Sequence, residues 1–138
     1  MIKYVAAYLA SGAMLLVLDV AWLHFVMRDI FRSTVGNAAL TEVRMLPAAL
    51  FYAGFVAALI YFAVIPAVDA SSMMTAVGCG ALLGLLAYGS YDLTNMATLK
   101  PWRWSLVLLD LSWGTLVSGL SALMGFAAWN TLVLARSG

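Results

Sequence analysis

Residues 46–66 read LPAALFYAGFVAALIYFAVIP, a run without a single charge. A transmembrane helix needs about 20 mostly apolar residues, because the hydrocarbon core is about 30 Å thick and each residue rises about 1.5 Å. The run therefore predicts a membrane span. Its apolar residues are continuous rather than alternating, which excludes a barrel strand. Working outward, three further stretches meet the same test, at 4–26, 73–99 and 104–128. Ala70-Ser71-Ser72 and Lys100-Pro101 mark short turns, and short turns make neighbouring helices antiparallel. The expected architecture is a single all-α domain, a polytopic bundle of four transmembrane helices.

Composition agrees. Of 138 residues, 65% are hydrophobic and 9% charged, and the mean hydropathy is +1.02. Soluble domains are nearer half apolar and about a quarter charged. A water-soluble enzyme is excluded, and so is a disordered chain. A net charge of +1 offers no basic surface for nucleic acid. One cysteine, Cys79, excludes an internal disulfide and any multi-cysteine metal site, and it reads as a small packing residue. No phosphate loop, His-x-x-x-His or Gly-x-Ser-x-Gly is present, so no cofactor is expected. The first apolar run is too long for the core of a removed signal peptide.

Lysine and arginine set the expected orientation. Arg28, Arg32, Arg44, Lys100 and Arg103 follow spans one and three, against Lys3 and Arg136 on the other side. Those two loops are expected in the cytoplasm and both termini outside. Trp102 and Trp104 flank the inner boundary as anchors, and Trp129 sits at the outer end of span four. The segment from Arg28 to Arg44 reads either as a short interfacial amphipathic helix or as a loop broken at Gly36-Asn37. Pro47 opens span two, and Pro66 is expected to end it.

Three aspartates, Asp19, Asp92 and Asp110, lie inside the spans. Each costs about 2.5–3.5 kcal/mol near a helix centre. Asp19 precedes Arg28 by nine residues, Asp92 precedes Lys100 by eight, and Asp110 follows Arg103 by seven. At about 1.5 Å per residue all three lie roughly 10–14 Å from the basic boundary, in one layer, with Tyr52 at the same depth.

Helical periodicity gives the facing. Asp92 shares a face with Gly80, Gly84, Tyr88, Tyr91 and Asn95. Asp110 aligns with Trp113, Gly114, Val117, Ser118 and Ser121, and Asp19 with Tyr8, Gly12, Leu15 and Trp22. The expectation is one pocket with an acidic floor of Asp19, Asp92 and Asp110, walled by Trp22, Tyr52, Tyr88, Tyr91, Asn95 and Trp113. No Lys or Arg lies at that depth, and three carboxylates so close cannot all carry charge. An aspartate bonded to Tyr or Asn can also simply pin helices together; three in one layer tip the balance to a functional site. His24, about 140° round from Asp19, reads as an interfacial histidine. Asp19-x-x-Trp22 and Asp110-x-x-Trp113 share a pattern, but their spans run in opposite directions. They read as two similar sites rather than a simple duplication.

The segment Tyr91-Asp92-Leu93-Thr94-Asn95-Met96-Ala97-Thr98-Leu99, followed by Lys100 and Trp102, resembles a family of small bacterial membrane proteins catalogued as domain of unknown function 2177. Asp19-x-x-Trp22, Phe51-Tyr52 and Asp110-x-x-Trp113-Gly114 are similar to its pattern too. The resemblance covers nearly the whole chain. It implies a four-helix protein of the bacterial inner (cytoplasmic) membrane with no established activity. Such proteins are often linked with genes that modify membrane fatty acids, so the resemblance also implies a lipid-related role.

Three functional readings compete. In the first, the pocket binds or helps to process an amphipathic or lipid ligand, with Asp92 and Asp110 as acid, base or hydrogen-bond partners. In the second, the chain is a small proton-coupled transporter of cationic or hydrophobic substrates, which needs a homodimer or a moving half. In the third, it is a non-catalytic subunit beside a lipid-modifying enzyme. Oxygen ligation of a hard cation by the three aspartates is a further option, without histidine support. Membrane lipids are the expected partners.

Overall fold

The computed structural model describes residues 1–38, 40 and 42–137, without the side chains of Ala38, Arg136 and Ser137. Arg136, used in the charge count, and Ala38, in the segment between spans one and two, therefore have side chains outside the described residues. Four helices are long and apolar enough to cross a membrane: α1 Ile2–Val35, α2 Met45–Asp69, α3 Met73–Thr98 and α4 Trp104–Ala135. There is no strand among the described residues.

Helix α1 runs well beyond the end expected at Val26. Its extension survives because residues 28–35 are amphipathic. Ile30, Phe31 and Val35 pack against a small core of Met27, Trp102, Leu106 and Val107, while Arg28, Asp29 and Arg32 stay exposed. Gly36, at φ 55°, then ends the helix in a conformation that suits glycine. A π-helical turn at Leu23–Met27 links the intramembrane part of α1 to this extension.

Pro66 does not end span two; α2 continues through it to Asp69. Proline lacks an N–H and its ring crowds the carbonyl four residues earlier. A π-helical turn at Ile60–Val64 immediately precedes it. The wider turn changes the hydrogen-bond ladder where proline cannot take part, so the helix carries on. Between α2 and α3, Ser71 takes φ 49° and Ser72 Oγ accepts from the Thr75 N–H at 3.2 Å, starting α3. Between α3 and α4, the Trp102 N–H donates to the Leu99 carbonyl at 3.2 Å, which folds the chain back sharply.

Small residues set the closest contacts. Gly80 of α3 meets Ser118, Gly119 and Ala122 of α4, and Gly84 meets Gly114 and Ser118. Gly125 of α4 faces Ser11 of α1. Without side chains between them these backbones approach closely, and van der Waals packing holds the helices where lipid supplies no hydrophobic drive. Leu15, Phe55, Leu59, Val64, Val117 and Phe126 fill the centre. The outer surface is Val17, Leu50, Leu82 and Leu108 with their neighbours, all exposed, which suits a surface solvated by acyl chains.

Candidate functional site

Asp19 is a meeting point for the whole bundle. The phenol of Tyr52, on α2, donates a hydrogen bond to its Oδ2. The phenol of Tyr88, on α3, donates to Oδ1 at 3.0 Å. The indole Nε1–H of Trp113, on α4, donates to the same oxygen at 2.9 Å. One carboxylate on α1 thus takes a donor from each of the other three spans. Gly114 makes this geometry possible: the Tyr88 ring lies over the space where a side chain at 114 would stand, and its hydroxyl reaches across α4.

One turn toward the basic loops lies a second tier. Asp92 is fully buried, and its Oδ1 accepts from the indole of Trp102 at 3.1 Å. Its Oδ2 has no donor among the described residues. Asp110, 8% exposed, stands beside Asp92 and within electrostatic range of Asp19. The Trp22 indole approaches Asp110, yet its Nε1–H closes no hydrogen bond among the described residues. On their own helices Asp92 and Asp110 stand one turn from Tyr88 and Trp113, the donors to Asp19. Counting residues from a boundary resolves depth to about one turn, or about 5 Å. That is the separation between Asp110 and Trp113, or between Asp92 and Tyr88.

The two Asp-x-x-Trp motifs face each other on the antiparallel helices α1 and α4. Trp113 donates to the aspartate of the other motif, and Trp22 leans toward the reciprocal one. The two indoles lie stacked between them, centroids 4.4 Å apart and planes within 3°. Opposite chain directions rule out a translational repeat but permit this arrangement, a local two-fold axis across the membrane-crossing direction. The symmetry is broken in its bonding: the Asp19 side is closed and the Asp110 side is open.

The remaining residues named from the sequence lie at the edge. Tyr91 is 50% exposed, its ring edge on Trp102 at 5.7 Å. Asn95 is half-buried beside the Tyr91 phenol. His24 is exposed, with Phe25 edge-on at 4.9 Å. Trp102 was expected as a boundary anchor, but it is 5% exposed and supplies the one indole donor on Asp92 among the described residues. The signal for it is the Lys100-Pro101 turn, which returns the chain so that Trp102 meets the end of α3 ten residues back. Met27, Leu106 and Val107 close over this tier from the basic end. Among the described residues no group of three His, Cys, Asp or Glu is placed to hold a metal ion.

Four apolar spans joined by short turns, with buried carboxyls and indoles between them, define a polytopic helical membrane protein. The chain belongs to the family described as "Predicted membrane protein (DUF2177)", which matches residues 4–127. No curated protein and no solved structure matches it.

Proposed function

We propose that the protein binds an amphipathic or lipid molecule by a proton-donating headgroup at Asp92 and Asp110. One observation carries this reading: Asp92 is fully buried, yet its Oδ2 lacks a donor while a second carboxyl stands beside it. A buried polar atom is ordinarily paired, and an unpaired one costs about 1–3 kcal/mol. Asp19 has three donors, whereas in the inner tier Trp102 is the indole donor seen on Asp92 among the described residues, and the Asp92–Asp110 contact needs a shared proton or a donor from outside. An amine or hydroxyl would supply such a donor, and the Trp22 Nε1–H would serve an acceptor on the same headgroup. Half-exposed Tyr91, with Asn95 beside it, lies between this tier and the outer surface. The proposal includes a setting in the bacterial inner membrane, with the basic loops cytoplasmic.

A second reading, proton-coupled transport, is favoured by the π-helical turns in α1 and α2, since such turns often mark functional positions in helices. The test for binding is mass spectrometry of molecules co-purified in mild detergent with the parent, Asp92→Asn and Asp110→Asn. The expected result is a bound species on the parent that both variants lose, with melting temperatures equal to or above the parent's. If the Asn variants keep the same species while Asp92→Leu and Asp110→Leu unfold, the inner carboxyls only pin helices and the proposal fails.

A further inference from the structure

A second site lies on the opposite side of α1 from the carboxylates. A shallow, open apolar strip runs along the outer face of this one helix, formed by Leu16, Val17, Val20, Ala21, His24 and Phe25. Its lining is almost wholly apolar, and Val17, Val20 and Phe25 are well exposed. The strip runs into the π-helical turn Leu23–Met27, where the helix changes its winding. Beyond it Arg28 stands four residues after His24, and Arg32 four after Arg28, the spacing that puts side chains on one helix face. All three are exposed, and Asp29 is offset round the helix from that face. On the inner face Met27, Ile30 and Phe31 pack against Trp102, Leu106 and Val107, so the basic stripe is held in a fixed orientation.

We infer that this exposed helix face binds an anionic phospholipid, its acyl chain along Leu16–Val20 and its phosphate between His24 and Arg28, with Arg32 completing the basic stripe. Charge decides the occupant. A second copy packed in parallel on this face would bring Arg28 and Arg32 against their own images, and like charges at contact repel. A phosphate diester accepts hydrogen bonds from both guanidinium and imidazole. A zwitterionic lipid offers the same phosphate but sets a choline beside the arginines, so the preference is for net negative headgroups. The site is independent of the inner carboxyls, because Asp92 and Asp110 lie across α1 from it.

The test uses the full chain in mild detergent, with dioleoylphosphatidylglycerol or dioleoylphosphatidylcholine added at equal concentration and adducts read by native mass spectrometry. Each arginine near an anionic headgroup is worth about fivefold in affinity, so the parent should retain the anionic lipid about twentyfold better. Arg28→Gln combined with Arg32→Gln should abolish that preference. Val20→Trp, a change at an exposed position that leaves the core untouched, should displace an acyl chain from the strip and weaken both lipids. Equal retention of the two lipids by the parent overturns the inference, and so does an unchanged preference in the double variant. Disulfide-linked dimers from Val20→Cys in a Cys79→Ala background also overturn it, because they put a second copy on this face.

Discussion

Trp22 and Trp113 lie flat against one another, ring centroids 4.4 Å apart and planes within 3°, each three residues beyond an aspartate on its own helix. The stack joins the first span to the last and separates two carboxyls with different fates. On one side Trp113 satisfies Asp19. On the other, Trp22 leaves its N–H open beside Asp110. Stacked aromatic pairs add about 0.5–1.5 kcal/mol beyond their burial. The stack thus holds the open side in place while the closed side holds the bundle.

Asp19 should be the least replaceable of the three acids. Asp19→Leu strands the donors of Tyr52, Tyr88 and Trp113 at once. Intramembrane hydrogen bonds average about 0.6 kcal/mol and reach about 1.7, so the expected loss is about 2–4 kcal/mol for three with their desolvation. Asp19→Asn keeps one acceptor oxygen and should fall between. Detergent melting curves read both. Stability of Asp19→Leu equal to the parent's would remove Asp19 from its central role.

Gly114→Ala places a methyl where the Tyr88 ring lies. A ring cannot yield as a flexible chain end does, so overpacking of about 1–3 kcal/mol is expected. The double variant Gly114→Ala/Tyr88→Ala relieves the clash but gives up the Tyr88 bond to Asp19. It should therefore lose less stability than the two single changes summed, and the non-additivity is measurable in the same melting assay.

Trp102→Phe keeps the ring contacts with Phe31 and Tyr91 but removes the N–H on Asp92. A loss of about 1 kcal/mol is expected from one buried bond. Adding Asp92→Asn should recover part of it, since a neutral amide costs less to bury without the indole and its N–H can donate to Asp110. A Trp102→Phe variant as stable as the parent, with unaltered indole fluorescence from the remaining tryptophans, would refute the bond.

Orientation is testable with single cysteines in a Cys79→Ala background. With the basic loops inside, a cysteine at position 37 should resist an impermeant thiol reagent applied to intact cells and react after lysis. Ready labelling from outside would reverse the topology inferred from the arginines.

The spans were legible because bilayer thickness leaves few alternatives for runs such as 46–66. The inward facing of the acids was legible because periodicity ties Asp92 to the glycines of α3. What escaped the sequence was pairing. Tyr52, Tyr88 and Tyr91 all lie near the right depth, but only the first two reach Asp19, while Tyr91 turns to the edge. Helix rotation of a few tens of degrees separates those outcomes, and spacing alone does not resolve it. Trp102 escaped because tryptophan beside Lys100 and Arg103 reads as a belt residue; its inward turn depends on the tertiary path of the loop. Pro66 escaped because a π-helical turn, which absorbs it, has no sharp sequence signature. The extension of α1 was half legible, as amphipathic residues whose partner face, around Trp102, could not be known.

The bonding of Asp19 also bears on how the protein is made. Its donors stand 33, 69 and 94 residues later in the chain. At about 5–20 residues per second, synthesis needs about 5–20 s to deliver the last of them. Throughout that interval the first helix to leave the ribosome carries an acid whose partners do not yet exist. The first span is therefore a provisional one until the fourth is released. Nascent chains cut short before Trp113 are expected to be poor residents of the bilayer and early targets for membrane proteolysis, whatever the finished protein binds.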